Sequence, residues 1–195
     1  MLSLNFLPFP ILKTDRLILR QLNIDDVNEI FFLRSDESVN KYVDRPKPRI
    51  LDDARKHIDT VNTSISNNNS IFWGITLIDN PHLIGTICLW NISKENDTAE
   101  VGFDLMPAFQ KKGFMKEAFL TVARYGFDIL KFSKLVGWVY HENSNSIALL
   151  RKLNFLRDLE EEAKGDNINP ADRQSNKMLI YGLNASDYRK AMAGL

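Results

Sequence analysis

"AEVGFDLMPAFQKKGFMKEA", residues Ala99 to Ala118, carries a strand, a turn and the start of a helix in one short stretch. Ala99, Val101, Phe103 and Leu105 alternate with Glu100, Gly102 and Asp104, which predicts a strand with one apolar face and one face bearing carboxylates. Pro107 stops it. From Lys112 the residues Met115, Ala118, Phe119 and Val122 recur at helical spacing. A second set, Leu120, Ala123, Phe127 and Leu130, predicts a helix to about Lys131 that is buried on two sides. The turn between strand and helix holds Gln110, Lys111, Lys112 and Gly113, none of them a preferred helix cap. Glycine there leaves backbone N–H groups bare and removes the Cβ that would block a close approach. Bare N–H groups at a helix start attract anions, and two lysines stand at the rim. The same residues read equally well as a plain helix start with solvated lysines.

Working outward, "RLILRQL" (Arg16–Leu22) alternates as a strand, and "NIDDVNEIFFLRS" follows as a helix capped by Asn23 or Asp25. A proline-bounded loop leads to a helix from about Leu51, ended by the polar run "NTSISNNNS". "IFWGITLID" and "HLIGTICLWNI" are strands joined around "DNPH", and with Thr98–Met106 they form a meander. Beyond the long helix come a strand at "KLVGWVY", a capped helix in "HENSNSIALLRKLNF", a strand beginning at "NFLRDLEE", a polar loop over Glu161–Asn176 and a closing strand at "KMLIYGL". This order predicts one α+β domain over residues 1–195 with a mixed, mostly antiparallel sheet flanked by helices. Residues 1–12 form an apolar arm that packs on the domain or on a second subunit, so a homodimer is a possible assembly.

Composition excludes several classes. The 195 residues hold 25 basic and 25 acidic side chains, a balance that gives no basic field for nucleic acid. No apolar run reaches the roughly 18 residues of a membrane helix. Cys88 is the lone cysteine, so there is no disulfide framework, and a reducing, cytoplasmic setting fits. Set mid-strand, it reads as a small buried hydrophobe. His57, His82 and His141 lie on separate elements without metal-ligand spacing, so no metal site is expected. Neither a dinucleotide fingerprint nor a phosphate-loop motif is present. Glu100, flanked by Gly102 on a strand beside the anion turn, is a candidate general base. A merely solvated strand face would look the same.

The stretch around Gln110, Gly113 and Met115 resembles the acyl-CoA motif of the GCN5-related N-acetyltransferases, or GNAT family: Gln/Arg-x-x-Gly-x-Gly/Ala at a strand–helix turn. "TDRLILRQLNIDD" and "NSNSIALLRKLNF" are similar to segments of the branch that includes the ribosomal-protein N-terminal acetyltransferases. Three departures stand out. Met115 replaces a small residue, Asn154 a glycine, and Leu150 a tyrosine that serves many relatives as an acid.

The resemblance implies a GNAT fold and transfer of an acetyl group from acetyl-CoA to a primary amine by direct attack, a protein N-terminal amine being one candidate. It assigns the pyrophosphate to Gln110, Lys111, Lys112, Gly113, Phe114 and Met115. It assigns the thioester carbonyl to a backbone N–H among Asp104, Leu105 and Met106. Glu100 becomes the base, Ser146 the group beside the departing thiolate, and Asn143 the helix cap and a contact to the pantetheine arm. Residues Asn23–Ser70 and Glu161–Asn176 become the acceptor walls. The acidic run "LEEEA" would favour a cationic acceptor such as a polyamine or a basic peptide N-terminus. A non-catalytic acyl-CoA-binding sensor is the alternative.

Overall fold

The computed structural model describes residues 2, 4–164 and 178–193. Eight strands form one sheet: β1 (Leu12–Lys13), β2 (Leu17–Arg20), β3 (Ile71–Leu77), β4 (Asn80–Ser93), β5 (Thr98–Leu105), β6 (Lys134–Tyr140), β7 (Leu156–Arg157) and β8 (Met178–Asn184). Their order is β1-β2-β3-β4-β5-β6-β8-β7. All neighbours run antiparallel except β5 and β6. The helices are α1 (Val27–Ser35), α2 (Leu51–Ser66), α3 (Phe114–Arg124), α4 (Ser144–Lys152), α5 (Leu159–Lys164) and α6 (Ala185–Ala193). The expected mixed, mostly antiparallel sheet flanked by helices is therefore the observed fold.

The alternation read in β5 holds in space. Ladder partners share a face of a sheet. Val101 and Phe103 lie over Leu89 and Ile87, on the face covered by α3, where the rings of Phe103 and Phe119 meet edge to face at 6.2 Å. Glu100, Gly102 and Asp104 lie over Trp90, Cys88 and Thr86 on the opposite face. There α2 packs, with His57 edge-on to Phe72 at 6.1 Å. Met115, Ala118, Phe119 and Val122 are all buried, as are Ala123, Phe127 and Leu130 of the second set. Leu120 departs from that reading and is 37% exposed.

Parallel β5 and β6 pair only over Thr98–Glu100 and Lys134–Val136. Beyond that the strands part, and the sheet opens as a wedge. Each wall of the wedge then turns into a helix, β5 into α3 and β6 into α4, so both helix N-termini follow from its open end.

Several boundaries differ from expectation. The long helix begins at Phe114 rather than Lys112, because Lys111 (φ 60°) and Gly113 (φ 83°) are left-handed and cannot continue a helix backwards. It ends in a π turn, Tyr125–Ile129. "LEEEA" lies in helix α5 rather than in a strand followed by a loop, and the remainder of the expected loop falls outside the described residues. Helix α6 and the two-residue β1 were not expected. The arm packs on its own domain: Phe6 is fully buried, its N–H bonds to Asn68 Oδ1 at 2.8 Å, and Trp73 Nε1 donates to the Pro10 carbonyl at 2.9 Å.

Candidate active site

The turn after β5 is built by its own side chains. Gln110 donates its N–H to the Pro107 carbonyl at 3.2 Å and its side-chain amide to the Leu105 carbonyl at 2.9 Å. Gln110 thus shapes the turn, with its backbone N–H and one side-chain bond engaged within it. The next backbone N–H groups, Lys111 to Lys116, have no acceptor among the described residues, and the helical ladder begins with Glu117 N–H on the Gly113 carbonyl. A row of bare N–H groups at the positive end of a helix is an anion site. A Cβ on Gly113 would stand 3.4 Å from the Arg16 guanidinium at a φ that side chains rarely adopt.

The early motif explains itself here. Thr14 Oγ1 and Arg16 Nε both bond Glu117, at 2.5 and 2.7 Å, and Arg16 Nη1 donates to the Lys112 carbonyl. Arg16 also lies over the Phe114 ring, 4.5 Å from its centre. Burial raises the Glu117 carboxyl, but the bonds from Thr14 and Arg16 outweigh it and hold it below its ordinary value. The turn between β1 and β2 therefore clamps the first turn of α3 and fixes the direction of the bare N–H groups.

Among Asp104, Leu105 and Met106 the backbone donors separate. Met106 N–H is spent on the Ile84 carbonyl of β4, at 2.9 Å. Backbone groups alternate sides along a strand, so Leu105 turns its N–H away from β4, as its carbonyl on Gln110 also shows. Leu105 is the donor facing the wedge. Asp104 sends its side chain instead to Arg45, at 2.7 Å.

Glu100 sits where β5 and β6 part, across the ladder from Trp90. Burial pushes its carboxyl up to about 7, against a long hydrogen bond from Asn91 at 3.5 Å. That value suits a base working near neutrality. Gly102, two residues on, forms the floor: an added Cβ would come within 3.0 Å of Cys88 Sγ and 3.5 Å of Trp90 Nε1. Cys88 is buried, and burial raises its thiol to about 12, so it carries no nucleophilic chemistry.

Across the wedge, Asn143 caps α4 by accepting the Ser146 N–H at 3.1 Å, which places Ser146 in the first turn. Leu150, in place of an acid, is buried against Gly137. Part of the acidic run and its flank is engaged within the fold. Glu162 is taken by Arg157 and by the Ile180 N–H, while neighbouring Asp158 pairs with Lys134. Among the described residues no group of three or more His, Cys, Asp or Glu side chains could hold a metal ion. No helix there is long and apolar enough to cross a membrane.

Sequence comparison gives this strand–turn–helix, with its bare N–H groups beside a parted parallel strand pair, a family. The acetyltransferase (GNAT) domain profile matches residues 16–156. The chain belongs to the GNAT acetyltransferase family. It is 34% identical over 150 residues to the uncharacterised N-acetyltransferase YoaA of Bacillus subtilis, covering 77% of this chain and 85% of that one. A second relative, N-acetyltransferase p20 of Bacillus licheniformis, is 33% identical over 159 residues, covering 79% and 89%. Among solved structures, a GNAT acetyltransferase from Bacillus anthracis superposes with a TM-score of 0.73 at 21% identity, covering 91% of this chain and 99% of that one. A protein described as a ribosomal-protein-serine acetyltransferase, from Vibrio cholerae, superposes at 0.74 with 19% identity, covering 91% and 98%. At these identities the structural likeness shows the fold. Family and fold together identify a GNAT acetyltransferase.

Proposed function

We propose that this GNAT acetyltransferase moves an acetyl group from acetyl-CoA to a primary amine by direct attack, with Glu100 as base. The observation that carries the donor is the unsatisfied N–H row from Lys111 to Lys116, at a turn held open by left-handed Gly113. The residues fit a pyrophosphate: the donors are bare, and Gly113 brings no Cβ to the turn. Lys111 and Lys112 add positive charge at the rim. A sensor that merely bound the acyl group would have no use for a carboxylate shifted to about 7 at the fork of the wedge.

The reaction divides among residues as follows. Glu100 takes a proton from the incoming ammonium, directly or through a water. The freed nitrogen forms its bond to the thioester carbonyl carbon as the carbon–sulfur bond breaks. Leu105 N–H faces the charge that grows on the carbonyl oxygen. The nitrogen's second proton ends on the sulfur, beside the Ser146 hydroxyl. Asn143 keeps that first turn of α4 in place.

Gly113→Asp tests the donor site. It adds a Cβ and a negative charge where phosphate oxygens belong, so calorimetry should show acetyl-CoA affinity falling by at least about tenfold. Unchanged affinity in a folded variant moves the pyrophosphate elsewhere.

A further inference from the structure

The acceptor side of the sheet, over Gly102 and Asp104, carries an excess of positive charge that the fold does not neutralise. Arg45 arrives from the loop after α1 and is fully engaged: Nη1 on Asp104 at 2.7 Å, Nε on Asn40 Oδ1 at 2.8 Å, Nη2 on the Leu33 carbonyl at 3.3 Å. Asn40 is itself buried and held by the carbonyls of Leu33 and Asp36, so the loop is fixed. Arg34, from the last turn of α1, lies beside this pair. Among the described residues its one hydrogen-bond partner is His57 Nε2, at 3.4 Å, and it has no ion-pair partner. The cluster therefore sets two guanidinium charges against the one carboxylate of Asp104. A half-buried arginine without a carboxylate is costly to keep, because its charge has lost water and gained no counter-ion. Its fork of donors matches a carboxylate in shape as well as charge.

The surroundings agree. Burial, then the charges of Arg34 and Arg45, push the His57 ring down to about 4, so it stays neutral and accepts from Arg34 rather than adding charge. Burial and Arg45 likewise lower Arg34 itself. Both shifts come first from burial and then from neighbouring positive charge, which Asp104 offsets in part at Arg34.

We propose that Arg34, with Arg45 and His57 beside it, is an oxyanion subsite of the acceptor pocket, and that the acceptor is an amine carrying a carboxylate. The proposal rests on the amine-acetylation reading above. The span from base to subsite runs along β5. Glu100 and Asp104 stand four residues apart on β5, about 13 Å of strand. An amine between them reaches the subsite with its carboxylate several bonds away. An amino acid with a terminal amine fits, and so does a short peptide with an early acidic side chain. A polyamine does not.

The test uses acceptor pairs that differ only in charge: 4-aminobutyrate against 4-aminobutanamide, and Ser-Asp against Ser-Asn tripeptide amides. Thiol release from acetyl-CoA gives kcat/KM for each. The acid should exceed its amide by at least about tenfold in one pair, the usual worth of a hydrogen bond to a charged group. Which pair responds separates a free amino acid from a peptide. In Arg34→Gln the ratio should fall to about one. Arg34→Lys keeps the charge without the fork and should lower the ratio severalfold, and it serves if the glutamine variant does not fold. Ratios near one in the wild-type protein, or an unchanged ratio in the variants, overturn the subsite. If no amine is acetylated, the transfer reading fails by itself. The subsite is then judged by saturation-transfer NMR with coenzyme A present. A 4-aminobutyrate signal that the amide lacks, and that Arg34→Gln abolishes, sustains it. Equal signals, or none, overturn it.

Discussion

Glu100 gathers the chemistry at the smallest scale. Its place was legible from β5 alternation, because a period of two leaves no freedom about which face a residue takes. Its proton affinity was not legible. That comes from burial at the fork of two strands far apart in sequence. A base must be ionised to act, so turnover should rise with pH through about 7, where the folded carboxyl gives up its proton. Glu100→Gln should remove that inflection and lower kcat by about 10²–10⁴-fold while acetyl-CoA still binds. Stopped-time assays over pH 5–9 at saturating acetyl-CoA decide it. Identical profiles for the two proteins would leave Glu100 a spectator and the amine's own ionisation in control. Arg34, Arg45 and His57 show the other limit of sequence. They come from α1, a loop and α2, and no spacing along the chain announces that they converge on Asp104.

At the level of elements, what the sequence makes plain is what local periodicity can carry. β5, the turn and α3 are contiguous, so alternation, a glycine and a helical stripe suffice. The joint role of Thr14 and Arg16 was visible only as part of a resemblance, and their clamp on Glu117 supplies the physical reason for the motif. Helix α6 escaped because nine residues give too short a pattern to read. The π turn after Arg124 has no signature in composition at all. The stripe on α3 makes a firm energetic claim. Phe119 is 1% exposed and packs edge to face on Phe103 and on Phe155, at 6.2 and 5.3 Å. It also borders a cavity of about 200 Å³ shared by α3, α4 and α6, so truncation enlarges a void that already exists. Phe119→Ala should cost about 3–5 kcal/mol, read from the urea midpoint at constant m. A loss under about 1 kcal/mol would mean that the neighbouring rings close the gap.

Across the whole molecule, the sheet face that carries Glu100 holds two half-buried groups whose titrations oppose each other. The folded Glu100 carboxyl stands at about 7 against an ordinary 4.5, because burial disfavours its charge. Between those values the folded chain keeps a proton that the unfolded chain has lost, so stability falls as pH rises. His57 is the reverse. Burial and two arginines bring it to about 4 from 6.5, and over that interval the unfolded chain takes a proton that the folded chain refuses. Its contribution to stability grows as pH rises. From about 4.5 to 6.5 the two slopes have opposite sign and similar size, so the wild-type protein should gain or lose little from this pair. Glu100→Gln removes one of them. All other groups are shared, so the difference between the two proteins isolates Glu100: the variant should become progressively more stable relative to wild type from pH 4.5 to 7, by about 1 kcal/mol per pH unit at most. Urea denaturation of both proteins at half-unit steps measures it. A difference that stays flat across the interval would mean that Glu100 ionises at its ordinary value, and the case for its being a base tuned by burial would fall with it.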